Sequence, residues 1–324
     1  MTTPEVVVVG AGLAGVACAR ELRVAGLSVR VVDRGHVPGG RMASRRLWER
    51  PVDLGASYLT AADPEFLAVV EDWAGRGLAA RWTDTFTVLG DAEAADKVGP
   101  VRWGAPRGLR SLVEDLALDL DVERVEVASV DEVRGGAQAV VLAMPDPQAR
   151  RLVDGHPVAD VLDRAWEPVL ALAARWPART WDGVSPSGRF EGAFVNDDPV
   201  IGWIADDGRR RGDDAPVLVA HSTPDLAARH LADPSAAAPE MVAGLRRLLH
   251  LDEPEDVHLH RWTFARPVGR REASYALVDG PGGPVAVCGD GWGPSPKVET
   301  AWLSGTRLGR ELGQRLSADR SRSA

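Results

Sequence analysis

The apolar positions of this chain fall into short unbroken runs and amphipathic stripes in alternation. Val6 to Val9 is a four-residue apolar run, the pattern of a parallel strand buried on both faces. Gly10-Ala-Gly12-Leu-Ala-Gly15 follows at once, and Val16 to Ala25 then reads as a helix with Gly26 as its stop. Ser28 to Asp33 reads as a second strand, so the chain opens as strand, turn, helix, turn, strand. Asp63-Pro64 caps a helix expected to reach about Leu78, and Leu109, Leu112, Val113 and Leu116 form a helical stripe within Gly108 to Leu118. Ala139 to Ala143 is another buried-strand candidate. From Trp166 to Arg266 the pattern changes. Strands are expected at Val169–Trp176, Val200–Ile204, Val217–Ala220 and Val257–Phe264, with helices at Asp225–Leu231 and Pro239–Leu249. The chain then returns to a buried strand, Val285–Cys288, and ends in a helix from Val298 to about Leu316 with a frayed polar tail, Ser317 to Ala324.

At 324 residues this is length enough for two domains, and 45% hydrophobic with 26% charged residues is ordinary globular composition. No apolar run approaches the ~20 residues that span a bilayer. The N-terminus shows no cationic then apolar leader pattern, and two cysteines, Cys18 and Cys288, cannot staple a chain this long, so a cytoplasmic protein is expected. A formal charge of −9 offers no cationic footprint for nucleic acid. The one dense basic run, Arg209-Arg210-Arg211, stands among Asp206, Asp207, Asp213 and Asp214 and reads as a solvated loop.

A Gly-x-Gly-x-x-Gly pattern alone is weak, but here it leaves a strand, opens a helix and is followed by an acid, Asp33, at the end of the next strand. In that setting Gly10 makes the tight turn, Gly12 lets a pyrophosphate approach the backbone, and Gly15 lets helix and strand pack closely. Ala11, Leu13 and Ala14 complete the cradle, and the helix N-terminus offers N–H donors to the anion. Asp33, with Arg34 beside it, can accept from a ribose diol, which disfavours a 2′-phosphate and leaves NAD or FAD. Gly39-Gly40-Arg41 and Asp53-Leu-Gly55-Ala56 suit a second clamp that FAD needs and NAD does not, with the guanidinium as a fork-shaped donor. Late in the chain, Gly289-Asp290 is placed to hold a ribityl hydroxyl, and the helix turn at Val298-Glu299 to face the flavin N1/O2 edge.

These motifs together resemble the amine-oxidase-like FAD oxidoreductases. More narrowly, Gly40-Arg-Met-Ala-Ser-Arg45, Asp53 to Thr60, His260-Arg-Trp-Thr-Phe-Ala-Arg-Pro267 and Val298 to Gly305 resemble bacterial renalase over nearly the whole chain. The resemblance implies an α/β fold in which a Rossmann-type FAD-binding domain (1–62, 105–150 and 280–324) is interleaved with a mixed-sheet α+β substrate domain (63–104 and 151–279). It implies non-covalent FAD, with Val125 offering its backbone to adenine. It further implies oxidation of dihydronicotinamides reduced at ring C2 or C6, with hydride passing to flavin N5 and oxygen, the second partner, giving hydrogen peroxide. Two stretches depart from the family pattern. The meander between Val125 and Val140 is trimmed, and Gly291 to Lys297 carries two prolines that stiffen the approach to the last helix.

Hydride loss from a dihydropyridine needs flat apolar walls and one or two polar anchors, not a strong base. Alternation places His258, His260, Trp262 and Phe264 on one strand face. His260 is then an anchor or proton shuttle and Trp262 a wall; the alternative is a histidine packed within the sheet. Trp292, Ser295 and Tyr58 are placed to approach the flavin, whereas Trp103 and Trp302 read as core. Many flavin amine oxidases use a lysine from the substrate domain, but no lysine lies between Lys97, read as a loop residue, and Lys297. An amine oxidase or desaturase is therefore the second reading, and a non-catalytic flavin-binding protein the third. No metal site is expected.

Overall fold

The computed structural model describes residues 3–90 and 93–323. Two large sheets organise it. The first, six-stranded, has the order β14-β15-β8-β1-β2-β7. Its strands are β1 (Val6–Val9), β2 (Val29–Asp33), β7 (Val122–Arg124), β8 (Ala139–Leu142), β14 (Ala276–Val278) and β15 (Val285–Val287). All pairings are parallel except β14 with β15. Because β1 and β8 lie at its centre, every residue of both strands is buried, which is why they read as unbroken apolar runs.

The second sheet has seven strands in the order β13-β9-β12-β11-β10-β5-β6. These are β5 (Ala80–Leu89), β6 (Ala95–Gly104), β9 (Trp166–Arg175), β10 (Gly192–Val195), β11 (Ile201–Asp206), β12 (Val217–Ser222) and β13 (Asp256–Pro267). One of its faces is covered by α7 (Pro224–Arg229) and α8 (Ala238–Leu249), which close a core around Leu170, Leu172, Ile204 and Leu218. The opposite face meets a small hairpin, β3 (Ser44–Leu47) and β4 (Arg50–Asp53), and the loop that follows it.

Helix α1 (Leu13–Val24) and the terminal helix α9 (Val298–Ser323) pack face to face over the first sheet. Glycines every four residues on α9 make the approach close: a methyl group on Gly305 would lie 2.0 Å from the Ala14 carbonyl, and one on Gly309 2.7 Å from that of Cys18. Leu308, Leu312 and Leu316 fill the core beside them, at about 1.5–3 kcal/mol of burial each. Helices α2 (Pro64–Gly75) and α3 (Arg110–Leu116) share a further core with Trp103 and Trp302, the two tryptophans expected there. The Asp63 carboxylate caps α2 by accepting from the Glu65 and Phe66 N–H groups, as expected, and the helix ends three residues short of the predicted stop.

Other expectations need correction. Residues 317–323 are helical rather than frayed, and Arg320 reaches Glu5 at 3.2 Å; Ala324 lies outside the described residues. Lys97 is in a strand, β6, paired with Phe86; the polar stretch assigned to it begins at Asp91, also outside the described residues. The trimmed meander is replaced by a short helix, α4 (Val130–Arg134), capped by Ser129. β14, beginning at Ala276, joins the first sheet beside β15. No helix among the described residues is long and apolar enough to cross a membrane.

Candidate active site

The glycine motif lies at the carboxyl end of β1, where a parallel sheet leaves a crevice for ligands. Gly10 has φ +111°, and a methyl group on Gly15 would sit 1.9 Å from the Gly10 carbonyl, so strand and helix touch as the motif requires. The α1 N-terminus carries no side-chain cap and no acid in its first turn, which leaves its donors to an anion. Ala11, Leu13 and Ala14 are buried beneath. Asp33 turns back onto this loop: its carboxylate accepts the Ala11 N–H at 2.7 Å and the Gly35 N–H at 2.6 Å, while Arg34 is exposed. Gly39 donates to the Ala11 carbonyl at 2.9 Å, which seats the second glycine loop against Gly12, with Gly40 facing it. Val125 lies beside Asp33, but its N–H is spent on the Asp33 carbonyl at 2.9 Å, so the expected backbone contact to adenine is reduced to its carbonyl.

Arg41 and Asp290 were expected to act on different parts of the cofactor. The structure pairs them. The guanidinium grips the Asp290 carboxylate with both terminal nitrogens, donates to the Ala265 carbonyl at 3.2 Å, and lies 4.7 Å from the Trp166 ring. A guanidinium has five N–H donors, so two remain for a phosphate. The same contact ties the first sheet's loops to β13 and β9 of the second. A methyl group on Gly289 would meet nothing within 4 Å, so the backbone before Asp290 borders open space. Gly289 also donates to Ser304 Oγ at 2.9 Å, which fixes this loop to α9. At the start of α9, after the half-buried Val298, the Glu299 carboxylate accepts the Ala62 and Asp63 N–H groups at 2.6 and 2.7 Å.

The basic run misread as a solvated loop is a buried helix, α6 (Asp207–Arg211). Arg210 and Arg211 are 2% and 7% exposed and converge with Arg50 on Asp207, itself fully buried. Burial alone would raise the Asp207 carboxyl, but Arg211, Arg210 and Arg50 outweigh it and hold it well below the usual carboxylate range. Arg211 also pairs with Asp53 at 2.8 Å, and Arg210 donates to the Ser57 carbonyl at 2.8 Å. The cluster therefore clamps the loop carrying Gly55, Ala56 and Tyr58 from beneath. A methyl group on Gly55 would lie 1.9 Å from the Arg41 carbonyl.

Against that loop stands the face of the second sheet opposite α7 and α8. Strand register aligns His260, Ala171, His221, Trp203 and Phe194 in one row across five strands. Trp262 donates to the Leu54 carbonyl at 2.8 Å and packs its ring edge on His260, 4.6 Å between centroids. Burial, then Arg45, His258 and Arg261, pushes the His260 imidazole down to about 4. Burial, then Arg210 and Arg266, does the same to His221 against the opposing Leu54 carbonyl. Both are neutral at physiological pH. The Nε2 atoms of His221 and His258 are buried without a hydrogen-bond partner. Tyr58 joins Trp82, Phe86 and Trp203 in an aromatic cluster, and burial raises its phenol despite Arg102.

His260, Trp262 and Tyr58 thus meet around the 53–58 loop. Trp292 does not join them: it is 5% exposed, packed with Leu142 and Val287, and the Arg271 guanidinium lies 3.9 Å from its ring. Ser295 is half-buried and its carbonyl accepts from Thr300 at 2.6 Å; Lys297 is exposed. Sequence reading missed His221 as a site residue, together with Trp203, Phe194 and the α6 arginines. The alternation of Val217 to Ser222 was the available signal for His221.

The cleft suits FAD: uncapped helix donors, an acid at the second strand, two facing glycine loops and open space before Asp290 line one crevice. Both cysteines are fully buried, and the Cys18 thiol is held by hydrogen bonding to Cys288 and by burial far above its ordinary value, which suits a non-covalent cofactor. A family model described as an NAD(P)-binding Rossmann-like domain matches residues 8–73. Phytoene dehydrogenase of Streptomyces griseus is 35% identical over 137 residues, 42% of this chain and 23% of that protein. A hydroxyneurosporene desaturase of Rubrivivax gelatinosus is 43% identical over 60 residues, 18% of this chain and 11% of the desaturase. The matches span less than a quarter of either relative's length. Among solved structures, cyclohexylamine oxidase from Brevibacterium oxydans superposes with a TM-score of 0.73 at 15% identity, covering 98% of this chain and 100% of the other. A putrescine oxidase variant gives 0.73 at 16% identity, covering 96% and 99%. The chain shares its fold with these two oxidases.

Proposed function

We propose that this chain is an FAD-dependent oxidoreductase of renalase-like type, taking hydride from a 2- or 6-dihydronicotinamide dinucleotide and returning the electrons to oxygen. The reading comprises two interleaved domains, one built on each large sheet. The observation that carries it is the row His260–Ala171–His221–Trp203. It holds two neutral imidazoles and no carboxylate, and the charges that act on His260 come from Arg45, His258 and Arg261. A protonated amine is repelled by that field, while a neutral ring bearing anionic phosphates is drawn to it. When bound, FAD supplies the two-electron acceptor and the site that oxygen later reoxidises. The chain's own residues have a modest task. Trp262, fixed by the Leu54 carbonyl, forms a wall; neutral His260 offers one donor and one acceptor to a carboxamide; Tyr58 and Trp203 exclude water.

The fold shared with cyclohexylamine and putrescine oxidases favours amine oxidation as the second reading. Anaerobic mixing of the flavin-loaded protein with 6-dihydro-NAD decides. Rapid bleaching of the flavin band is expected. Bleaching by amines alone transfers the claim to the second reading, and bleaching by neither leaves a flavin-binding protein.

A further inference from the structure

The same sheet face continues past the histidines into a cluster of rings. Tyr58, Trp82, Phe86, Phe194 and Trp203 lie with neighbouring centroids 4.7 to 6.3 Å apart. Their polar tips are already satisfied: Trp82 Nε1 donates to Glu191 at 2.7 Å and Trp203 Nε1 to Ser57 Oγ at 2.9 Å. Phe86 and Trp203 are buried as a base, 1% and 8% exposed, whereas Phe194 is 39% exposed although β10 lies inside the sheet between β11 and β5. The rings therefore form a rigid apolar cluster in which Phe194 is the exposed member, Tyr58 and Trp82 are half-buried, and Phe86 and Trp203 pack beneath. Behind it the Arg102 guanidinium lies 4.1 Å from the Phe86 ring centre.

We propose that Phe194, backed by the buried Phe86 and Trp203 and flanked by Trp82, forms a second subsite that stacks the purine of a dinucleotide hydride donor. The proposal rests on the function proposed above and extends it. Four strand spacings separate β13 from β10, about 19 Å, so one nicotinamide cannot touch both His260 and Phe194. A two-ring ligand can. Flat heteroaromatic rings stack on such surfaces with little demand for hydrogen bonds. Among the described residues at the histidine end, Arg45 is the cation on His260 that is not already bound to another partner, whereas Arg261 donates to the Leu231 carbonyl and Arg266 pairs with Glu167, and a cation there suits the phosphates that join the two rings.

The test compares 6-dihydro-NAD with 6-dihydro-NMN, the mononucleotide that lacks the purine, in anaerobic flavin reduction by wild type, F194A and F194W. F194A is expected to raise the half-saturating concentration of the dinucleotide about tenfold, to leave that of the mononucleotide unchanged, and to be rescued by F194W. AMP should quench tryptophan fluorescence in wild type and more weakly in F194A. Equal effects on both donors, or no effect on either, would overturn the subsite. If neither donor reduces the flavin, the proposed function fails, and the AMP titration still decides the platform: quenching that F194A weakens supports it, and no quenching refutes it. Preferential quenching by an apolar polyene over AMP would also overturn it.

Discussion

Gly15 has no room for even one added carbon, since the nearest atom, the Gly10 carbonyl oxygen, would be 1.9 Å away. Gly15→Ala must push α1 off β1 and spread the loop meant for pyrophosphate. The expected result is a chain less stable by about 1–3 kcal/mol that purifies with little flavin. Urea denaturation and flavin absorbance per protein check this, and a yellow, fully loaded variant would remove the phosphate role from this loop. The histidines permit a second prediction at this scale. Because His260 titrates near 4 rather than at its ordinary 6.5, the rate of flavin reduction should stay flat as pH falls from 8 to about 5 and decline only below that. His260→Asn, which cannot gain the proton, should abolish the acid limb. A limb centred at 6.5 in wild type would show that the imidazole is not held in this electropositive, desolvated setting.

At the scale of elements, α6 carries the clearest consequence. Asp207 is the only acid of the described residues on which Arg50, Arg210 and Arg211 all converge. Asp207→Ala leaves the buried Arg210 without an acid partner, while Arg211 keeps Asp53 and Arg50 keeps Asp213; it should cost about 3 kcal/mol and loosen the 53–58 loop enough to weaken FAD retention. Equilibrium unfolding with and without the cofactor measures both effects, and a cost below about 1 kcal/mol would mean that water already screens the cluster. This helix also shows where sequence reading stops. The opening strand-turn-helix-strand unit was legible because each signal is local: an apolar run, glycines at fixed spacing, an acid at the next strand end. The Asp63 cap and the buried Trp103 and Trp302 were legible for the same reason. Arg209 to Arg211 were not, because what buries them is remote: Asp53 and Arg50 come from a hairpin some 150 residues earlier. The strands β5 and β6 carry little apolar alternation, with Arg81, Asp84, Asp96 and Lys97 among their residues, so nothing marked them as strands, although 63–104 was grouped with the chain that forms the second sheet. The coupling of Arg41 to Asp290 likewise joins positions whose separate motifs each suggested a private role.

On the scale of the whole molecule, the two sheets are joined through the site rather than by a linker. Arg41 bridges Asp290 and the Ala265 carbonyl, Trp262 reaches the Leu54 carbonyl, and Arg210 and Arg211 hold Ser57 and Asp53. Apart from the Arg41–Asp290 pair, each of these bonds has one end in the chain segments of the first sheet and the other in those of the second. A cofactor seated between them would therefore stabilise both, and the two sheets are expected to melt together. FAD at a hundredfold excess over its dissociation constant adds about 2.7 kcal/mol, which for a chain of this size shifts Tm by on the order of 5 °C. Differential scanning calorimetry should show one transition that moves as a unit on adding FAD, and Arg41→Ala should reduce the shift by removing a donor and the bridge together. Two transitions, of which FAD moves only the first, would mean that the substrate sheet folds independently. The positioning assigned to Arg41, Trp262 and α6 would then be a consequence of packing and not the device that sets the substrate face against the cofactor.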